Sequence, residues 1–276
     1  HYLGKDVLQN IGFLERLNPN NIDHVQINLI ENFGIETRGD FYDTEGALKD
    51  VGQSHLLQIL SLITMDSPKK AGEKSIRNEK VKVLKSVEKI KEKDIIFGQY
   101  KNYTREKGIK KKSKTETFFA LKLFINNKKW KNTPFLLRSG KNMEKSFASI
   151  YIQFKNQQNT NLNTKPDYLV IQIQPKSGVS EHIKNKIIKK QLGITSLKHS
   201  FYKEKKPTEA YETLVYKALE GDQSLFIRAE EIEYAWKILD KINRKKIKMY
   251  TYEKNSFGPK ESESILGDKR KWFNTI

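Results

Sequence analysis

Apolar residues along this chain recur at two periods, and the switch between them marks the expected elements. Val7, Ile11, Leu14 and Leu17 fall on one helical face, predicting a short helix over 5–17. Val25, Ile27 and Leu29 alternate with polar neighbours, so Asp23–Leu29 reads as a strand. Gly34–Asp43 reads as a loop or turn, and Asp50–Thr64 as a helix whose apolar run, Leu56–Ile63, calls for burial. Val81, Leu84, Val87 and Ile90, spaced by three, predict a second helix over Arg77–Ile95. Tyr100–Thr117 is polar and charged, an expected exposed loop. Strands are predicted at Phe118–Ile125, Phe135–Arg138, Phe147–Phe154 and Asp167–Gln174, the last stopped by Pro175. Asn156–Pro166 reads as a loop by its Asn content. Ala210–Leu219 and Ala229–Ile242 carry one apolar face each and predict helices. The final stretch, 252–276, reads as loop and short turn.

Strands outnumber what a helical bundle uses, and helices do not alternate with them regularly. The expected class is α+β, with a large, mainly antiparallel sheet covered on one face by helices. No internal repeat or low-complexity linker interrupts the chain, so residues 1–276 read as one domain.

Charge changes this picture less than its size suggests. The chain has 52 basic and 33 acidic residues, for a net charge of +19. Forty-four of the basic residues are Lys and only eight are Arg, the better reader of phosphates and bases. The runs Gly108–Lys114, Lys203–Lys206 and Asn243–Lys248 lack interleaved aromatics. A solvated basic surface is the reading, and neither nucleic acid nor membrane is an expected partner. No apolar run approaches the roughly 20 residues that span a bilayer. The absence of cysteine excludes disulfides and thiolate chemistry and is consistent with a cytoplasmic protein. The chain opens on His1 without a charged-then-apolar leader, which reads as a fragment or processed chain without a signal peptide.

Candidate chemistry is sparse. His55 heads the apolar run, with Asp50 five residues before it. At the first turn of a helix, free N–H groups and the positive dipole end would depress an imidazole pKa and favour a proton-accepting ring. The residues alone leave two roles open, a general base or a hydrogen-bonded cap. His1, Tyr2 and Lys5 offer phosphate-compatible donors around Gly4, or a plain terminal segment. Lys141, in RSGK after an apolar strand, is a cleft cation or a solvated turn residue. Glu31 and Asp50 are acceptors for hydroxyls or surface charges. The five histidines are scattered and no HExxH occurs, so no metal site is expected. No GxGxxG and no GxxxxGK[ST] appears, so no nucleotide cradle of the usual kind is expected.

Taken together, these stretches resemble the C-terminal domain of glucose-6-phosphate dehydrogenase. HYLGK (1–5) resembles the family's sugar-phosphate signature, and FGIETRGDFYDTEGALKDVGQSHLLQILSLITMD (33–66) its catalytic-histidine segment. RNEKVKVLKS (77–86), FGQY (97–100), TETFFALKLFINNKKWKNTPFLLRSGK (115–141), IQIQP (171–175) and PTEAYETLVYKALEGDQSLFIRAEEIEYAWKIL (207–239) are similar too. The resemblance implies that His55 takes the proton from the anomeric hydroxyl of glucose 6-phosphate while hydride passes to NADP. It implies that His1, Tyr2 and Lys5 bind the 6-phosphate, and that Glu31, Asp50, Lys141 and Gln174 hold the sugar. It also implies a homodimer or dimer of dimers, and an N-terminal Rossmann domain, absent from this chain, that holds most of the NADP site. Two departures stand out: Ser146 where the family has a second Lys, with Lys145 one place early, and Ser54 where it has Asn before the histidine. The altered GKNMEKS leaves a non-catalytic sugar-phosphate-binding or assembly relative as the alternative.

Overall fold

The computed structural model describes residues 19–68, 73–155, 166–182, 210–221, 223, 226–268 and 270–274. The expected helix over 5–17 lies outside them.

Eight strands form a single sheet: β1 (Ile22–Ile30), β2 (Ile95–Tyr100), β3 (Phe118–Leu123), β4 (Phe135–Gly140), β5 (Phe147–Phe154), β6 (Tyr168–Gln174), β7 (Gly178–His182) and β8 (Met249–Tyr252). Their order is β7-β6-β5-β1-β4-β3-β2-β8. The β1–β4 and β2–β8 pairs are parallel and the other five antiparallel. The α+β expectation holds, as a mixed, mainly antiparallel sheet.

The alternation that marks the strands sorts the two faces. Ile27, Leu137, Ile150 and Leu169 are fully buried in the face covered by helices. Each such side chain contributes roughly 1.5–3 kcal/mol through its removal from water. The helices are α1 (Gly39–Ala47), a π-helical segment (Leu48–Leu56) running directly into α2 (Leu57–Thr64), α3 (Glu73–Ser86), α4 (Ala210–Leu219) and α5 (Ala229–Leu239). Every residue of α2 is buried, and α5 packs on α3 and on the π-helical segment.

The other face is polar yet covered. His24, Gln26 and Asn28 of β1 are fully buried there, with Arg138 of β4 and Ser149 of β5 in register beside Asn28. The segment 270–274 lies over them. Gln26 donates to Lys271 O (2.8 Å) and accepts from Phe273 N (2.8 Å). Arg138 sits 4.5 Å from the Trp272 ring and donates to Asn274 Oδ1 (2.8 Å). Arg270 pairs with Asp23 through Nε (2.8 Å) and Nη2 (3.0 Å). The expected loop and short turn over 252–276 are there, the turn being a 3-10 turn at Lys260–Ile265, but the stretch seals a sheet face and its first residue, Tyr252, closes β8.

Other expectations need correcting. Gly34–Asp43 is only partly loop, because α1 begins at Gly39. The helix expected over Arg77–Ile95 begins earlier and stops at Ser86, and Ile95 opens β2 instead. The apolar spacing continues past Ser86, but Ile90 is buried as part of a connection. β7 was not expected at all; GVSEH is short and polar, as an edge strand tends to be.

The helical layer contains one buried ion pair, Lys80 Nζ to Glu231 Oε2 at 2.5 Å, joining α3 to α5. Glu231 also accepts from Arg228 N (3.3 Å) at the start of α5. Removing one partner strands the other charge in a dry site. Glu231→Ala is therefore expected to cost about 3–5 kcal/mol in a denaturant titration, and a well-packed apolar replacement of both residues much less. An Ala variant within experimental error of wild type would refute the pair's burial.

Candidate active site

The parallel pairing of β1 with β4 puts Ile30 opposite Gly140, so both chains leave the sheet at the same level. The next residues, Glu31 and Lys141, stand side by side. Glu31 N donates to Gly140 O (3.0 Å), Met143 N to Glu31 O (2.9 Å), and Lys141 N to Thr117 O (3.0 Å). Gly140 is required by space: a Cβ there would lie 2.7 Å from the Phe118 ring and 2.8 Å from Met143 Sδ. Lys141 Nζ donates to Glu31 Oε2 at 2.6 Å. Lys141 is only 4% exposed, and its ammonium lies 5.0 Å from the Phe33 ring centre and 5.4 Å from that of Tyr42. A buried ammonium costs several kcal/mol unless paired, and the carboxylate plus two π faces supply the compensation.

Asp50 and His55 come from the π-helical segment. There the Leu57 N–H bonds to Gly52 O, a five-residue step. Five residues on an α-helix turn a side chain about 140° past one full turn; the wider π-helix, with its i→i+5 bonds, turns less over the same interval and brings such a pair nearer one side. The Asp50 carboxylate is thereby placed where it acts on the charge of the His55 ring. His55 is half-buried, and burial holds its pKa below the usual value while the Asp50 carboxylate pushes the other way. The expected direction is right but its cause is corrected: the helical run that holds His55 starts at Ala47, after the non-helical Gly46, so His55 lies inside it and not at an N-terminal dipole end. Arg38 Nη2 donates to Asp50 Oδ1 (3.2 Å), and its guanidinium lies over Phe41 at 5.1 Å. Ser54, in the family's Asn position, donates to Asp50 O.

Tyr42 links the two halves. It is 1% exposed, lies against the Lys141 ammonium, and has its phenol pKa pushed well up by burial and by charges that include Asp50 and Glu31. Glu31, Lys141, Asp50 and His55 thus share one neighbourhood. Gln174 ends β6, exposed, opposite Ala148, which faces Leu29 of β1. That register puts Gln174 at the same end of the sheet as Glu31, two strand spacings or roughly 10 Å away. His1, Tyr2 and Lys5 lie outside the described residues. Lys145 is exposed, and Ser146 turns to Asn32, donating to its Oδ1 (2.6 Å) and accepting from its N (2.8 Å). Sequence reasoning missed Arg38 and Tyr42. Both sit in RGDFYD, where no period or spacing singles them out.

Residues 8–273 match the family model for the glucose-6-phosphate dehydrogenase, C-terminal domain. The chain belongs to that family. A glucose-6-phosphate 1-dehydrogenase of Borreliella burgdorferi is 38% identical over 99% of this chain and 64% of its own length. The crystal structure of the Mycobacterium avium enzyme superposes with a TM-score of 0.88 at 30% identity, covering all of this chain and 63% of that one. A glucose-6-phosphate dehydrogenase in complex with its substrate glucose-6-phosphate gives a TM-score of 0.85 at 30% identity, covering all of this chain and 62% of that one. The chain thus spans between about half and two thirds of the length of the relatives it matches.

In this glucose-6-phosphate dehydrogenase C-terminal domain, the described residues do not fit a dinucleotide. No glycine-rich turn among them leads from a strand into a helix N-terminus, the arrangement that cradles a pyrophosphate. They gather no group of three or more metal-ligating side chains, and no described helix is long and apolar enough to cross a membrane.

In an NMR titration the His55 ring is expected to turn over below pH 6.5, the unperturbed value. Asp50→Asn should lower it further, because the Asp50 carboxylate favours the charged ring. A rise in that variant would show that the two side chains are not coupled as described.

Proposed function

We propose that this chain supplies the sugar-phosphate site and the general base of a glucose-6-phosphate dehydrogenase, which oxidises glucose 6-phosphate to 6-phosphoglucono-lactone with NADP as acceptor. The observation that supports it most is the convergence of the Glu31–Lys141 pair, at the shared end of β1 and β4, with Asp50 and His55. A structural neighbour of this fold holds glucose 6-phosphate as its substrate.

In this reading His55, held neutral by burial, accepts the proton of the anomeric hydroxyl. Asp50 takes a sugar hydroxyl, and Arg38 donates to its carboxylate. Glu31 and Lys141 take sugar hydroxyls, the carboxylate accepting and the ammonium donating; their 2.6 Å pairing presents both at once. Gln174 reaches the sugar from β6, and His1, Tyr2 and Lys5 take the 6-phosphate. With Ser146 engaged by Asn32, the phosphate loses one cation that the family usually offers, so more of the clamp falls to Lys5 and its neighbours. NADP, which residues other than the described ones would hold, would supply the acceptor for the hydride that leaves the same carbon. One domain over 1–276, a cytoplasmic location and a homodimer or dimer of dimers complete the reading. A relative from Arabidopsis thaliana named cytoplasmic supports the location, although others from that plant are named chloroplastic.

In the full-length protein, His55→Ala should reduce turnover with glucose 6-phosphate and NADP by about 100-fold or more, the usual scale for losing a general base. Steady-state kinetics decide it, and near-normal turnover would remove His55 from the mechanism.

A further inference from the structure

We propose that Glu116, on a distant part of the chain, is a positioning residue that fixes where the π-helical segment starts and thereby where Asp50 and His55 are placed along it. The proposal rests on the functional reading above for the meaning of that placement, but its geometry stands by itself. Glu116 precedes β3 and is 1% exposed. Its backbone carbonyl accepts the Ala47 N–H (2.9 Å) and its carboxylate Oε1 accepts the Leu48 N–H (3.1 Å). Two successive donors at the entry to the segment are thus bound by one residue 68 positions away. The second carboxylate oxygen pairs with Arg244, whose guanidinium lies 5.7 Å from the Phe97 ring.

Gly46 shows that the chain is shaped around this carboxylate. Its φ is +72°, outside helical values, and a Cβ there would lie 2.6 Å from Glu116 Oε1. The chain therefore breaks at Gly46, turns past the carboxylate, and begins the π-helical segment at Leu48 with its first N–H already bound. A π-helix is rare and mostly a single turn, so a run of nine residues calls for an anchor at its start. Were the segment to take α-helical bonding instead, Asp50 and His55 would stand about 140° apart around its axis. The motif that supplies Arg244, NRKKIK, looked like a plain solvated basic run; one of its cations instead pairs with the buried Glu116 carboxylate, whose pKa burial raises and Arg244 pulls back down.

The test uses the complete enzyme and two variants, Glu116→Ala and Glu116→Gln, the latter able to accept the Leu48 N–H through its amide oxygen. Two readouts are taken: kcat and KM for glucose 6-phosphate, and amide hydrogen exchange over 48–56. In the Ala variant, kcat should fall about 10- to 100-fold, the scale of a misplaced reacting group. Its amides over 48–56 should exchange faster, while those of β3 and β4 keep their protection. In the Gln variant, both kcat and protection should return close to wild type. The proposal is overturned by a folded Ala variant with wild-type kcat and exchange, by an equal loss in both variants, or by loss of protection spread over the whole sheet. Should the Ala variant not fold, the Gln variant decides alone: a collapsed kcat refutes the role. A wild-type enzyme inactive on glucose 6-phosphate would sink the functional reading instead, and the exchange readout would still judge the cap.

Discussion

Everything at the candidate site depends on β1 and β4 running side by side in the same direction. Parallel strands bring the same ends together, and here the two chains leave the sheet in step, Ile30 against Gly140. A carboxylate and an ammonium that are 110 residues apart in sequence become direct neighbours without any loop having to find the other. Had the pair been antiparallel, Glu31 and Lys141 would have emerged at opposite ends of the sheet, more than 15 Å apart by the roughly 3.3 Å rise per residue. The flanking antiparallel strands fix the position of this pair, with β5 against β1 and β3 against β4. The pair is thus held from both sides by paired strands, which suits a site that must be pre-organised.

The other half of the site is built on a different principle. Where β1 and β4 gain precision from regular pairing, the segment carrying Asp50 and His55 gains it from an irregularity. A π-helical run gives up ideal backbone bonding, and such runs cluster at functional sites. The full burial of α2 directly after it offsets that local cost, since eight consecutive residues are anchored in the core. Tyr42, packed between the two halves, couples a rigid sheet end to an irregular helix.

Much of this was legible in the residues. Alternation located β1, apolar runs bounded by polar turns located β3, β4, β5 and β6, and amphipathic spacing located α4 and α5; in α5 one face meets the core and the other does not. The reading failed where that contrast is weak. Ile95–Tyr100 sits in the sheet interior, but apolar residues at intervals of three upstream carried the helix expectation into it. α1 holds two glycines and little apolar surface, so nothing in GDFYDTEGA announces a helix. The parallel pairing is a non-local choice that no stretch of sequence encodes alone. Nor does a lone glutamate between two threonines look any different from a surface charge, although Glu116 is buried. Single residues such as His55, Glu31 and Lys141 could be nominated by type and place, but their nearness to one another could come only from resemblance, and then from coordinates.

The last described residues leave a kinetic mark on the molecule. Arg270 and Phe273 close against Asp23 and Gln26 across 247 positions. Until they do, a row of buried polar groups on β1 and β4 stays open to water. Contacts this distant in sequence slow folding, because the chain must order itself before they reward it. On a ribosome the sheet's polar side therefore stays unroofed until residues 270–273 have emerged.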